Sequence, residues 1–571
     1  MTLNNKLLKR EYKKTLFPVM FSILGGIINT LIDSIFVSQK LGQSGLSAVN
    51  LSMPIYLIMC TFGSLVGSGA SILSANELGR ENNVKAKEYC RYGITLCVLA
   101  GVVLTIAGLI LCRPISTFLA GNDTELTELV YGYILITIFG CIPLLISYFP
   151  IYYLPLEGKT RDISIMMVIM IGCDVLFDLL FIYILNLDTY GAATASLLST
   201  LIACVYSFIK LEICNSDFKF GFSKLRKNDI ISILRTGSPT AMGNLADTLK
   251  LLFLNIIITE VGGTGYIAVW SVLNTLSELS ITVTSGVPSA ASPLIGVYYI
   301  SKENKSLSII TKLEVRYGIL LSTVFCLAII IFHEFIEMLF SFEYSIMLPI
   351  LCLGIYAIFD SIGSILIGFF NCTEKIALSN VMVALRKLIL PILSILFCAE
   401  NNLYLWLFLP ISAILTVVCE IILVLYYKKN KTDTPLSFPL LLDERMEKEN
   451  LVLDFTTGLS SEEICNASDQ IQNFCKDNGF DKKITMYIQL AIEEILVIIA
   501  TNDNSLESAD LRVIALPNEK VLRIRYSGKE YNPFSQSLDN DEMMGVAMLS
   551  KIASNVKFSY VIGMNVTNVL F

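Results

Sequence analysis

Apolar runs long enough to cross a bilayer follow one another up to about residue 430, where the pattern changes to the short alternations and amphipathic periods of a water-soluble domain. A spanning helix needs about 20 mostly apolar residues. Twelve stretches meet that length, at about 15–38, 48–75, 92–112, 129–153, 163–185, 191–211, 237–260, 267–298, 317–333, 348–371, 378–399 and 403–427. Two are irregular: 129–153 holds Pro143 and Pro150, and 267–298 is unusually long. Further on, the periodicity predicts a strand at Leu451–Phe455, helices at Ser461–Asn478 and Lys483–Thr501, and a strand pair at Leu511–Leu516 and Val521–Tyr526. A helix at Met543–Ser554 and strands to Phe571 complete the domain. Alternating strands and amphipathic helices of these lengths build a sheet covered by helices.

The apolar region repeats itself at a spacing of about 220 residues. Pro18 opens the first span and Pro239 the seventh; Gly45-Leu-Ser-Ala-Val-Asn50 precedes the second and Gly265-Tyr-Ile-Ala-Val-Trp270 the eighth. Ser68-Gly-Ala-Ser precedes Arg80-Glu-Asn82, as Ser289-Ala-Ala-Ser precedes Lys302-Glu-Asn304. Parallel repeats of this kind are a common device of secondary transporters, whose substrate path lies between two halves that rock against each other. The predicted fold is a mainly α membrane protein: twelve transmembrane helices in two six-helix bundles, 1–220 and 221–430, a linker at 431–445, and an α/β sandwich domain at 446–571.

Charge supports this topology. Only 16% of residues are charged, against about 25% in soluble proteins. Lys and Arg collect before the first span (Lys6, Lys9, Arg10, Lys13, Lys14) and in alternate loops, among which Arg386 and Lys387 are counted. The positive-inside rule then puts both termini, and the C-terminal domain, in the cytoplasm of a multi-pass cell-membrane protein. The single histidine, His333, argues against histidine-based catalysis, and the fifteen cysteines show no metal-ligand spacing. No catalytic residue, cofactor or nucleic-acid partner is expected.

A carboxylate inside a bilayer is costly unless paired, protonated or hydrated, and is a functional candidate by default. The spans hold Asp33, Asp174, Asp178, Asp247, Glu278 and Asp360. Asn29 and Asp33 are four residues apart and share a helix face, as do Asp174 and Asp178. Neighbouring carboxylates disfavour each other's ionisation, so such a group would hold a proton or a Na⁺. In the second half, Asp247, Lys250 and Glu278 form a second candidate group, with Lys250 one turn from Asp247 and the only basic residue expected deep in a span.

These residues resemble the multidrug and toxic compound extrusion (MATE) transporters over about 10–430. The stretches that carry the resemblance are Asn29-Thr-Leu-Ile-Asp-Ser-Ile-Phe36, Gly69-Ala-Ser-Ile-Leu-Ser-Ala-Asn-Glu-Leu-Gly79, Asp174-Val-Leu-Phe-Asp-Leu-Leu-Phe-Ile182 and Gly191-Ala-Ala-Thr-Ala-Ser196. The resemblance implies export of small organic, cationic or amphipathic, compounds in exchange for H⁺ or Na⁺, by a single chain. It also implies a cation-coupling site at Asn29, Asp33, Asp174, Asp178 and Ser196, with Na⁺ held, where it is the coupling ion, by the three aspartates. Asp174 stands where one branch of the family has Asn, and Ser196 where it has Thr, which leaves the coupling ion open.

The C-terminal domain resembles the ATPase fold of histidine kinases and anti-sigma-factor kinases in Leu490-Ala-Ile-Glu-Glu-Ile495, Tyr526-Ser-Gly-Lys-Glu-Tyr-Asn-Pro533 and Gly545-Val-Ala-Met-Leu-Ser-Lys551. The nucleotide positions would be Glu494, Gly528 and Gly545, but they are eroded. Ile498 replaces the Mg²⁺-ligating Asn one turn after Glu494, and Tyr526 replaces the adenine-binding Asp. The expectation is a degenerate domain that regulates, or binds a cytosolic regulatory protein. Two other functions remain in play: a flippase for amphiphilic or lipid-linked molecules, which would need cavity cations, and a receptor signalling through the tail.

Overall fold

The computed structural model describes residues 3–571, apart from 81, 121–123, 214–217, 220, 340–344, 402, 431–434, 503–507, 517–518, 529, 535–543 and 562. The first half comprises α1 (Leu3–Gly79), α2 (Asn83–Ala120), α3 (Thr124–Phe139), α4 (Cys141–Leu156), α5 (Thr160–Asp178) and α6 (Asp188–Ile213). The second comprises α7 (Lys227–Thr284), α8 (Gly286–Ile300), α9 (Asn304–Ile331), the short α10 (His333–Leu339), α11 (Met347–Cys372), α12 (Ile376–Ala384), α13 (Leu390–Glu400) and α14 (Phe408–Asn430). Helix α1 carries two crossings, Leu8–Leu41 and Ser47–Gly79. The irregular fourth crossing is the bent pair α3–α4, broken by 55° at Gly140. The eighth is divided at Ser285 between the end of α7 and α8. Lys482–Thr501 is also long and apolar enough to span a membrane, but its buried face packs within the C-terminal domain core.

Two crossings contain a π-helical turn: Leu179–Ile184, directly after Asp178, and Leu385–Ile389 between α12 and α13. The second corrects the sequence reading. Arg386 and Lys387 lie on that turn inside the span Ile376–Glu400, not in a loop. The positive-inside rule counts a cation wherever it interrupts apolar sequence and cannot register a partner on another helix. Here Arg386 donates two 2.6 Å hydrogen bonds to Asp360.

The halves meet tightly at the end of the bundle that bears the C-terminal domain. A Cβ on Gly69 would overlap the Ile233 carbonyl, and one on Gly237 the Leu65 carbonyl. Ser68 bonds Thr240 at 3.2 Å, and Asn244 bonds Ser64 at 3.1 Å. A single buried cluster runs through both halves there, joining Tyr12, Leu16, Ala75, Phe149, Val287, Tyr298 and Phe369.

The C-terminal domain comprises α15 (Arg445–Lys448), β1 (Val452–Gly458), α16 (Ser461–Asp477), α17 (Lys482–Asn502), β2 (Ser508–Leu516), β3 (Glu519–Ser527), α18 (Met544–Ile552), β4 (Asn555–Val561) and β5 (Met564–Leu570). The strands form one antiparallel sheet in the order β1-β2-β3-β5-β4. Ser460 and Glu463 close a capping box at the start of α16, satisfying two of its orphan amides. Leu511, Val513, Leu522 and Ile524 point to the helices. By the period of two, Asp510, Arg512, Arg523 and Arg525 point the other way. That second face is not in solvent: Arg512, Arg523 and Arg525 are buried because the membrane half covers them.

Candidate functional site

Three aspartates from two helices converge in the first half. Asp174 and Asp178, one turn apart on α5, are both 1% exposed. Asn29 on α1 donates a 2.5 Å hydrogen bond to Asp174, and Ser199 on α6 donates one of 3.0 Å. Asp33, one turn beyond Asn29, lies within interaction reach of Asp174, Asp178 and Ser196. One carboxylate oxygen of Asp33 and one of Asp178 are buried with no hydrogen-bond partner. Tyr133 of α3 also faces the three acids. All five residues expected at this site are thus brought together. Ser199 and Tyr133 join them; only the one-turn spacing of Ser199 from Ser196 could have signalled the first. Among the described residues, no group of three or more His, Cys, Asp or Glu side chains is arranged to hold a metal ion.

The second-half group is partly reassembled. Asp247 accepts from Lys250 at 3.0 Å, as spacing suggested, but also from Lys387 of the π-turn at 2.5 Å. Lys250 is therefore not the only deep cation. Glu278 is exposed near the end of α7, 31 residues along from Asp247, and does not join the group. Gly243 leaves room for the Lys387 ammonium beside α7: a Cβ there would lie 3.2 Å from it. Asp360 is committed to Arg386, with Glu420 buried beside them.

The MatE family profile matches residues 18–180, which include all three aspartates. The multidrug export protein MepA of Staphylococcus haemolyticus is 21% identical over 386 residues, covering 66% of this chain and 85% of its own. The MepA of Staphylococcus aureus strain MRSA252 is 22% identical over 392 residues. Among solved structures, an outward-facing multidrug resistance MATE transporter superposes with a TM-score of 0.69 at 20% identity, covering 76% of this chain and all of its own. A MOP superfamily transporter from Pyrococcus furiosus, whose binding pocket is described as of reverse polarity, gives 0.67 at 21% identity, covering 75% and 98%. The membrane half is similar to the MATE transporters and shares their fold.

The membrane half carries the C-terminal domain on a built interface. In the α8–α9 turn, Glu303 accepts from Arg523 at 3.0 Å and from Arg525 at 2.9 and 2.7 Å. Burial alone would raise its carboxyl, but Arg525, with Arg512 and Arg523 beside it, holds it well below the usual carboxylate range. Arg525 stacks 4.4 Å over the Tyr298 ring, and Arg512 donates to the Lys302 carbonyl at 2.7 Å. The contact extends to the first half: Arg10 of α1 bonds Ser527, and the β4–β5 turn at Gly563 approaches Gly158. The domain therefore straddles both halves.

The nucleotide positions of that domain are otherwise occupied. Glu494 accepts the Val546 amide at 2.9 Å, at the start of α18. Tyr526 is buried in the domain core and donates to the Tyr531 carbonyl at 2.6 Å. Gly528 has the positive φ of 128° that favours glycine, and the side of Gly545 lies outside the described residues.

Proposed function

We propose that this chain is a cation-coupled (H⁺ or Na⁺) exporter of small organic, cationic or amphipathic, compounds, working as a single chain by alternating access. The observation that carries this reading is the cluster of Asp33, Asp174 and Asp178, two of whose buried oxygens have no hydrogen-bond partner. Three carboxyl groups this close inside a bilayer do not all ionise unaided; a bound proton or cation must neutralise them. Hard oxygen donors suit Na⁺ as well as a proton, so the coupling ion is either. The activity of the relatives, multidrug export, supports the substrate class. The test is ethidium efflux from proteoliposomes under an imposed H⁺ or Na⁺ gradient. Gradient-driven efflux should be lost in Asp33→Asn; unchanged efflux would refute the site.

The same reading makes the C-terminal domain a cytoplasmic restraint, in keeping with the lysine and arginine distribution. To open toward the cytoplasm the two halves must part at their tight end. A domain bound to Glu303 in one half and Arg10 in the other opposes that movement. A cytosolic regulatory protein would act by displacing the sheet or by binding its helix-covered side. The lysines beside Asp247 favour one second reading, a flippase for an amphiphile with an anionic head.

A further inference from the structure

The contacts that seal the two halves stop at a definite level. Along α7, Gly237, Thr240 and Asn244 touch Leu65, Ser68 and Ser64 of α1. The next position on that face, one turn on, is Asp247. There the seal ends: Asp247 is 36% exposed, Lys250 22% and Lys387 23%. Their level is set by helix length. Asp247 lies 20 residues into the span Lys227–Ile258, about 30 Å along its axis at ~1.5 Å per residue. The three side chains are thus part-exposed just beyond the contacts that join the halves.

Their charges do not balance. Two ammonium groups share one carboxylate. The next acid toward Lys250 is Asp360, and both its oxygens are taken by Arg386. Glu420, close to Arg386, is fully buried with both oxygens lacking a hydrogen-bond partner. Tyr356 is the remaining titratable neighbour. A structural ion pair needs one lysine, and a second leaves a surplus positive charge at a depth where such charge costs several kcal/mol unless it is met. Each ammonium has three donors, more than one aspartate accepts.

We propose that Lys250 and Lys387 bind an anionic group, a carboxylate or phosphate, of the transported molecule. The substrate class is then an amphiphile carrying a negative group toward the second half, and a zwitterion where a cationic group also faces the first-half acids. Asp247 holds the two lysines apart and tunes the site rather than binding the cargo. The proposal rests on the transporter reading above, but its test does not depend on coupling.

The test uses the full chain in nanodiscs of zwitterionic lipid, with fluorescence anisotropy of rhodamine B, which carries a carboxylate, and of its ethyl ester, which does not. The acid should bind roughly tenfold more tightly than the ester, the scale of one charge-assisted contact of about 1.4 kcal/mol. Lys387→Met, which leaves the neutral pair Lys250–Asp247, should remove that preference without weakening the ester. Asp247→Asn should strengthen acid binding, a gain that a purely structural triad would not give. Asp33→Asn should keep the preference while losing coupled efflux, so the two proposals fail separately. If phosphatidylglycerol added to the nanodiscs competes with the acid, a lipid head group supplies the anion; if it does not, a small molecule does. Equal binding of acid and ester by the wild type, or equal weakening of both by Lys387→Met, would overturn the proposal.

Discussion

Replacing Glu303 by alanine should release the C-terminal domain from the membrane half. In the wild type the carboxylate receives three hydrogen bonds from Arg523 and Arg525 and a fourth, longer one from Ser306. Removing it leaves two buried guanidinium groups facing each other without their shared counter-charge. Breaking a buried pair from one side costs about 3 to 5 kcal/mol. Asp454 and Asp510 stay close to Arg525, so the lower end applies, about 3 kcal/mol, or on the order of a hundredfold in the docking equilibrium. Glu303→Gln keeps the shape and two acceptor positions, and should lose less. The readout is direct, because Arg512, Arg523 and Arg525 are buried only against the membrane half. An arginine-selective dicarbonyl reagent followed by peptide mass spectrometry should modify all three faster in Glu303→Ala. A paired change, Glu303→Met with Arg525→Met, removes charge from both sides and should recover part of the docking. If Glu303→Ala leaves the arginines as protected as in the wild type, the ion cluster does not hold the domain.

The remaining predictions concern other parts of the chain. Gly237→Ala places a methyl against the Leu65 carbonyl and should lower the stability of the sealed end by about 1–3 kcal/mol, read as a lower Tm in detergent. Burial pushes Asp510 up to about 7, against the pull of Thr456 and Arg525, with Asp454 and Glu303 adding to the rise. A carboxyl whose value is raised in the docked state favours docking while protonated, so arginine footprinting should increase from about pH 5 to about pH 8 and flatten in Asp510→Asn. Glu303, whose value is depressed, should instead keep its contribution throughout that window and lose it only in strong acid. Calorimetry of the full chain with Mg-ATP should show no binding, since Glu494 and Tyr526 are engaged within the domain; micromolar affinity would reverse that conclusion.

The sequence carried the two-part architecture and the first-half site because both are written in local patterns. Apolar run length marks the crossings, and pairs such as Asn29–Asp33 and Asp174–Asp178 sit at helical spacing, so their convergence followed once α1 and α5 were neighbours. The sheet was legible for the same reason, since Leu511, Val513, Leu522 and Ile524 alternate with polar residues. The alternation is silent in one respect: Arg512, Arg523 and Arg525 fall on the polar face of the strands, and nothing local announces that Glu303, more than 200 residues earlier, covers them. Lys387 was misplaced similarly. Its partner is 140 residues away, and the π-turn that aims it at Asp247 has no signature in the apolar run around it.

The clamp around Glu303 also has a bearing on biosynthesis. A ribosome completes β3 and β5 only after every membrane crossing has left it, and the surface they need is composite, with Arg10 from the first helix and Glu303 from the turn before the ninth. The sheet can seat only on a bundle whose two halves have already come together. A completed chain with a misinserted crossing would leave three arginines of the domain uncovered. Seating of the C-terminal domain thus depends on a bundle that is already complete.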